Sequence, residues 1–273
     1  MKRPLRALVI VILAAGPLHG EAWPRGKGQL FAHFGATSFS ADTLFDTGGN
    51  RAPFPGRGFD EKGDNLYLEL GLTDRFTALA TLPLKKVVVK GLVNDFTSRG
   101  LADLDLRLRY STRIGPGVYA GLDAGAFVPL GYDETEFPAR GSGETDAVVS
   151  GSVGAGLRFL PEGFLSLDVG YRWRGGALAD EIPYALKVGA FPHPRIGVFL
   201  FARGSVSRAD FSRVDPFVGT TTDSERLLAG AELYARVSRH FDVNGSWAKV
   251  VRGRNTPIGD QLLLGVAFHT KVY

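Results

Sequence analysis

The chain reads as all-β, an up-and-down antiparallel transmembrane β-barrel of about 12 strands. Three observations predict this class. Apolar and polar residues alternate with a period of two in many separate runs. The connections between those runs alternate between long and short. The start of the chain has the layout of a secretory signal, and no later stretch is apolar for the roughly 20 residues that a spanning helix needs.

The opening segment is justified first. "MKRPLR" is a basic region, "ALVIVILAAG" an apolar one and "GPLHGEA" a small-residue cleavage zone. The apolar run is too short for a membrane anchor. Cleavage is expected after Gly20 or Ala22, which divides the chain into a signal peptide over 1–22 and a barrel over 23–273. Lys2, Arg3 and Arg6 leave with the signal, so cleavage after Gly20 lowers the formal net charge from +4 to about +1. The high pI of the full chain therefore says little about nucleic acid, no cation-rich run elsewhere argues for it, and no nucleic-acid partner is expected. Cys is absent, which removes disulfides, thiolate nucleophiles and Cys-based metal sites, and suits passage through an oxidising compartment.

The strands follow in order. "ADLDLRLRY" sets Leu104, Leu106, Leu108 and Tyr110 on one face and Asp103, Asp105, Arg107 and Arg109 on the other. "NLYLELGL", "FLSLDVGYRW", "RLLAGAELYARV" and "DQLLLGVAF" repeat the pattern, separated by turn-forming clusters such as "TDR", "GPG", "LPEG" and "PHPR". Strands are expected near 28–40, 64–73, 76–89, 101–111, 117–129, 145–158, 164–175, 182–191, 196–206, 226–238, 241–251 and 260–270. Connections after the odd-numbered strands are mostly longer, as extracellular loops are, and an even strand count returns both termini to the periplasm. "GRNTPIGD" lacks a strand–loop–helix context for phosphate and reads as an extracellular hairpin loop.

A soluble sandwich or lipocalin-like barrel also uses alternating strands, but with the apolar face inward. Here the polar face carries many glycines and charges of both signs, which suits a crowded lumen. Aromatics gather near strand ends, at Tyr110, Tyr171 and Trp173, with Trp247 a further candidate, as in interfacial girdles. Lipid is therefore expected on the leucine side, and closure removes the unpaired strand edges that lipid cannot solvate.

The expected lumen lining is Glu69 on the second strand and Asp103, Asp105, Arg107 and Arg109 on the fourth. Asp123 follows on the fifth, Asp146 and Arg158 on the sixth, and Asp168, Arg172 and Arg174 on the seventh. Lys187, Arg203, Glu232 and Arg236 complete it. These charges either line a selective path or form an ion-pair network that fills the barrel. Across the short turn "STRIGPG", like faces must meet, so Tyr110 is expected opposite Val118 or Ala120, with Arg107 directly or diagonally across from Asp123.

His33 and His269 are both expected inward on strands that become neighbours on closure, where they could form a metal or proton-responsive site. His240, Asn244 and Ser246 invite comparison with outer-membrane phospholipases, but structural turn residues explain them better. No cofactor, metal or enzymatic activity is expected.

Several segments, namely "SRGLADLDLRLRY", "AFVPLGYD", "GSGETDAVVSGSVGAGL", "LDVGYRWRG" and "VVRGRNTPIGDQLLLGVAF", resemble the outer-membrane family named for the meta-pathway of phenol degradation. "EAWPRGKGQLF" is similar to its mature N-termini. Ala102 stands where the family commonly has Gly, and Tyr273 is a terminal aromatic out of register with Val266 and Phe268. The resemblance implies an outer-membrane channel for passive uptake of small hydrophobic or aromatic molecules, assembled by the barrel-assembly machinery. The rival classes are a filled structural or adhesive barrel acting through its loops, and a barrel hydrolase.

Overall fold

A computed structural model describes residues 22–133, 135–217 and 223–272. The expected signal peptide, but for Ala22, and Tyr273 lie outside the described residues. The strands are β1 (Gln29–Phe45), β2 (Arg51–Pro53), β3 (Gly58–Gly71), β4 (Phe76–Lys90), β5 (Asp95–Leu101), β6 (Asp103–Gly115) and β7 (Val118–Pro129). They continue as β8 (Asp146–Leu157), β9 (Gly163–Trp173), β10 (Glu181–His193), β11 (Ile196–Ser207), β12 (Glu225–Arg236), β13 (Phe241–Arg254) and β14 (Thr256–Lys271).

Each strand pairs antiparallel with its neighbours, and β14 pairs with β1 from Gln29↔Lys271 to Phe45↔Thr256, which closes the sheet. The barrel has 12 strands. β2 is a short arm on the end of β1, and β5 and β6 are two halves of one wall strand, since both pair with β4. The break between them has a local cause. Pro83 of β4 has no N–H to offer the ladder, and its carbonyl accepts from the Ala102 amide at 2.9 Å, at the one residue between β5 and β6.

The alternation reads inside out relative to a soluble protein. In β8, Asp146, Ser150 and Ser152 are buried while Val149 and Val153 are exposed. In β6, Leu106 and Leu108 are exposed and Arg109 is buried. Polar groups thus face the lumen and leucines face lipid, which excludes the sandwich and the lipocalin-like barrel. Tyr110 packs on Phe76 at one end of the apolar band, and Tyr171 on Trp173 at the other. Trp247 also faces outward.

The end that carries the start of β1 and the end of β14 has the short turns 72–75, 116–117, 158–162, 194–195 and 237–240. The other end carries 46–57, 91–94, 130–145, 174–180 and 208–224. "GRNTPIGD" is a correction. It is not a loop but almost entirely strand, because Asn255 alone makes the turn between β13 and β14, with φ 49°. Its side chain does the work of a loop, accepting from the Phe217 amide and donating to the carbonyls of Asp215 and Asp223.

The β6–β7 register is a second correction. Tyr110 lies opposite Leu122, not Val118 or Ala120. The hairpin turns in two residues, Pro116 and Gly117, with Gly117 at φ 73°, and takes up a bulge between Arg113 and Gly115. A tighter turn brings later residues of β7 alongside β6.

Candidate functional site

The lumen has two unlike walls. Along β3 to β9 the inward positions hold a dense charge network. Arg109 donates Nε and Nη2 to Asp123 Oδ1 and Oδ2, each at 2.8 Å, from directly across the β6–β7 ladder. Glu69 Oε1 is 3.9 Å from Arg109, and Glu69 also accepts from Tyr67 and Arg25. Arg107 forms the same bidentate pair with Asp105 two residues back, both bonds at 2.8 Å, and lies over the Phe127 ring. Arg172 stacks on the other side of this cluster, 4.0 Å from the Phe127 centroid, and pairs with the fully buried Asp146. Asp168 faces the same space without an ion pair within 4.0 Å among the described residues, and Asp105, Arg107, Arg109, Asp123, Asp168 and Tyr67 border a cavity of about 160 Å³.

The opposite wall, β10 to β1, is sparser. Lys187 lies 4.3 Å from the Phe199 centroid and 3.6 Å from Glu232. Glu232 accepts from Asn244 Nδ2 at 2.8 Å, and Asn244 Oδ1 is 3.0 Å from His33 Nε2. Arg203 donates to Gln261 at 3.0 Å. Arg236 and His269 both face Asp242, at 3.9 and 3.1 Å.

Most expected lining residues therefore face the lumen, but two expectations change. Arg107 lies diagonally across from Asp123, one of its two expected placements, while the ion pair with Asp123 is made by Arg109. Arg158 does not line the lumen; β8 ends at Leu157, and Arg158 is exposed in the turn that follows. Arg174 lies just past β9, pinned at the extracellular rim by Glu181 at 2.9 Å and Asp223 at 3.6 Å. His33 and His269 sit on adjacent strands but turn to different partners, Asn244 and Asp242. His240 is in a turn with Nδ1 3.0 Å from the His269 carbonyl, and no hydrogen bond joins it, Asn244 and Ser246 among the described residues.

Two features closing the lumen were missed in the sequence. The segment Ala22–Lys27 crosses the periplasmic mouth like a strap. The Arg25 amide donates to Thr77 Oγ1 of β4, and its guanidinium stacks on Phe31 and pairs with Glu69. Trp23 reaches the far side, against Tyr119 of β7 and Phe164 of β9. Gly154 of β8 makes that possible, since a Cβ there would stand 2.6 Å from the indole. Ala22 is fully buried.

At the extracellular end, loop 130–145 folds inward. Tyr132 and Ser142 donate to Asp103, while Arg140 pairs with Glu136, which also accepts from Ser98. Burial and the Asp103 carboxylate raise the Tyr132 phenol well above its usual range; the Arg140 guanidinium holds the Glu136 carboxyl below the usual carboxylate range. At the same end, Phe54, Phe59, Phe39 and Phe217 form an aromatic cluster with ring centroids 5.7 to 6.4 Å apart.

No protein-family profile and no curated protein matches the chain. Among solved structures, an outer-membrane channel from Pseudomonas putida F1 superposes with a TM-score of 0.73 at 13% identity, over 94% of this chain and all of that one. The NanC porin follows with a TM-score of 0.52 at 7% identity, over 85% of this chain and 98% of its own. The fold is that of an outer-membrane β-barrel, in agreement with the fold implied by the family resemblance read from the sequence.

Proposed function

We propose that the protein, exported by its signal peptide and inserted by the barrel-assembly machinery, is a passive outer-membrane channel for small hydrophobic or aromatic molecules. The observation that carries this reading is the extracellular phenylalanine cluster above a lumen cavity of about 160 Å³. A cavity near 150 Å³ is enough for one benzene-sized ring. The rings of Phe39, Phe54, Phe59 and Phe217 pack the extracellular end of the barrel with low-polarity surface, and the charges below them are mostly paired with one another, so they present little net field to a neutral solute. This arrangement supports a path with a size limit near that of one ring.

A filled barrel acting through its loops is the second reading, favoured by the strap across the periplasmic mouth. One experiment separates the two. The mature chain is reconstituted in planar bilayers and in vesicles loaded to report influx of single-ring aromatics. The channel reading expects small steady conductance, aromatic influx, and a rise of both on Trp23→Ala, which loosens the strap. A silent bilayer with both the wild-type and Trp23→Ala chains rejects the channel and leaves the filled barrel.

A further inference from the structure

The outer face of the β3–β4–β5 sheet carries a feature that passage through the lumen does not use. On β4 the outward positions are apolar from Phe76 through Ala78, Ala80 and Leu82 to Leu84, and the next is Lys86. On β5 the outward Leu101 is followed by Arg99; on β3 Leu66 is followed by Asp64 and then Lys62. The ladder registers put these cations in one row, Lys62↔Lys86 and Lys86↔Arg99, at the extracellular edge of the apolar band. All three side chains are exposed.

Residues directly opposite in an antiparallel ladder have Cβ atoms about 5 Å apart, and like charges there repel. The rest of this sheet avoids the problem by pairing. Lys85 faces Glu61 at 3.4 Å, Arg57 faces Asp95 at 2.6 Å, and Lys90 pairs with Asp60. Lys62, Lys86 and Arg99 have no ion pair within 4.0 Å among the described residues. The carboxylates nearby do not balance them. Asp60, close enough for Lys62 to act on its charge, is already engaged by Lys90 and Ser40. Asp64, one row toward the membrane opposite Leu84, leaves three positive charges against one negative. A sequence that pairs its other cations in this sheet and leaves three in line at the lipid boundary has placed the counter-charge outside the chain.

We infer that this row binds the phosphate groups of a phosphorylated lipid in the outer leaflet, of the lipid A class. The inference rests on the outer-membrane placement and not on conduction. Lysine and arginine form charge-assisted hydrogen bonds to phosphate, and arginine does so in bidentate fashion. The leucines directly below the row, Leu84 and Leu101, give the acyl chains an apolar wall, so head and tail are met by one continuous surface. The bound phosphates also relieve the cross-strand repulsion, so the lipid fastens three neighbouring strands.

The test uses the mature chain in a neutral detergent, with displacement of a fluorescent bis-phosphorylated lipid A as the readout. Competitors are unlabelled lipid A, the same lipid with its phosphates removed, and inorganic phosphate. Unlabelled lipid A should compete well, the dephosphorylated lipid poorly, and inorganic phosphate only at far higher concentration, because it lacks the chains. Each cation removed should cost about fivefold in affinity, so the triple variant Lys62→Gln, Lys86→Gln, Arg99→Gln should lose about a hundredfold. Lys85→Gln, which alters a paired lysine, should bind as the wild type does. If the triple variant fails to fold, Lys86→Gln should still lose about fivefold while Lys86→Arg keeps its affinity. Equal binding of the dephosphorylated lipid, competition by phosphate at lipid-like concentrations, or unchanged affinity in the charge-neutral variants would each overturn the inference. Because conductance is not read, a silent channel leaves this result standing on its own.

Discussion

The two walls of the lumen solve the same problem at different densities. On the β3–β9 wall, Arg109, Asp123 and Glu69 are each almost wholly buried and meet through two 2.8 Å hydrogen bonds and a third, looser contact. On the β10–β1 wall Glu232 meets Lys187 at 3.6 Å and accepts from Asn244, whose own oxygen meets His33. The first wall is brittle at one point, because removing Arg109 strands the buried Asp123, whereas Glu69 keeps Arg25 and Tyr67. The second is forgiving because Glu232 keeps a neutral donor when its cation is lost. The difference teaches that the number of charges in a lumen says less about stability than the number of independent partners each one has.

The comparison breaks most clearly at Arg109. Arg109→Ala should destabilise the barrel by about 3–5 kcal/mol in denaturant unfolding, since Asp123 is left buried without its partner. The double variant with Asp123→Ala should cost less than the sum of the two singles, and strict additivity would show that the pair is solvated after all. On the other wall, Lys187→Met should cost only about 1–3 kcal/mol, because Asn244 still donates to Glu232. A loss as large as that of Arg109→Ala would erase the distinction between the walls.

Smaller effects sharpen it. Asp168 borders the cavity as an unmatched carboxylate, so Asp168→Asn should shift reversal potentials toward anions. A single charge close by in a watery pore is worth about 1 kcal/mol, or roughly fivefold in the permeability ratio. An unshifted potential would place the current path elsewhere. The smallest effect is a pH step in loop 130–145. The folded Glu136 carboxyl is held below its ordinary value, chiefly by Arg140, so the latch it makes is complete above that ordinary value, about 4.3. It is lost as pH falls through the lower folded value. Hydrogen exchange over 130–145, corrected for intrinsic rates, should rise below about pH 4 in the wild type. In Glu136→Gln it should be fast already at neutral pH and show no step.

How much was legible in the sequence follows from what kind of interaction decides each feature. The wall strands were legible because lipid on one side and polar groups on the other force a period of two, as in "ADLDLRLRY". The partner of Asp123 was not, because a two-residue turn with a bulge shifts a register that periodicity leaves free by even steps. The strap over Trp23 and Arg25 has no period at all; its position depends on Gly154 and Glu69, which are distant in sequence. Arg158 was misplaced for a simpler reason, since alternation extrapolated past a strand end still yields a face.

The single-residue turn at Asn255 has a consequence for anyone wishing to decorate the cell surface through this barrel. Its amide donates to Asp46 and its side chain holds Asp215, Phe217 and Asp223, so one position stitches two extracellular loops to the last hairpin. A peptide tag inserted there would cut every stitch at once. The turn over 91–94 is the opposite kind of site. Leu92 and Val93 are 82% and 87% exposed, and the Gly91 amide bonded to the Asn94 carbonyl closes the turn beneath them. An epitope grafted between Leu92 and Val93 would stand clear of the lumen, and antibody labelling of intact cells would find it there.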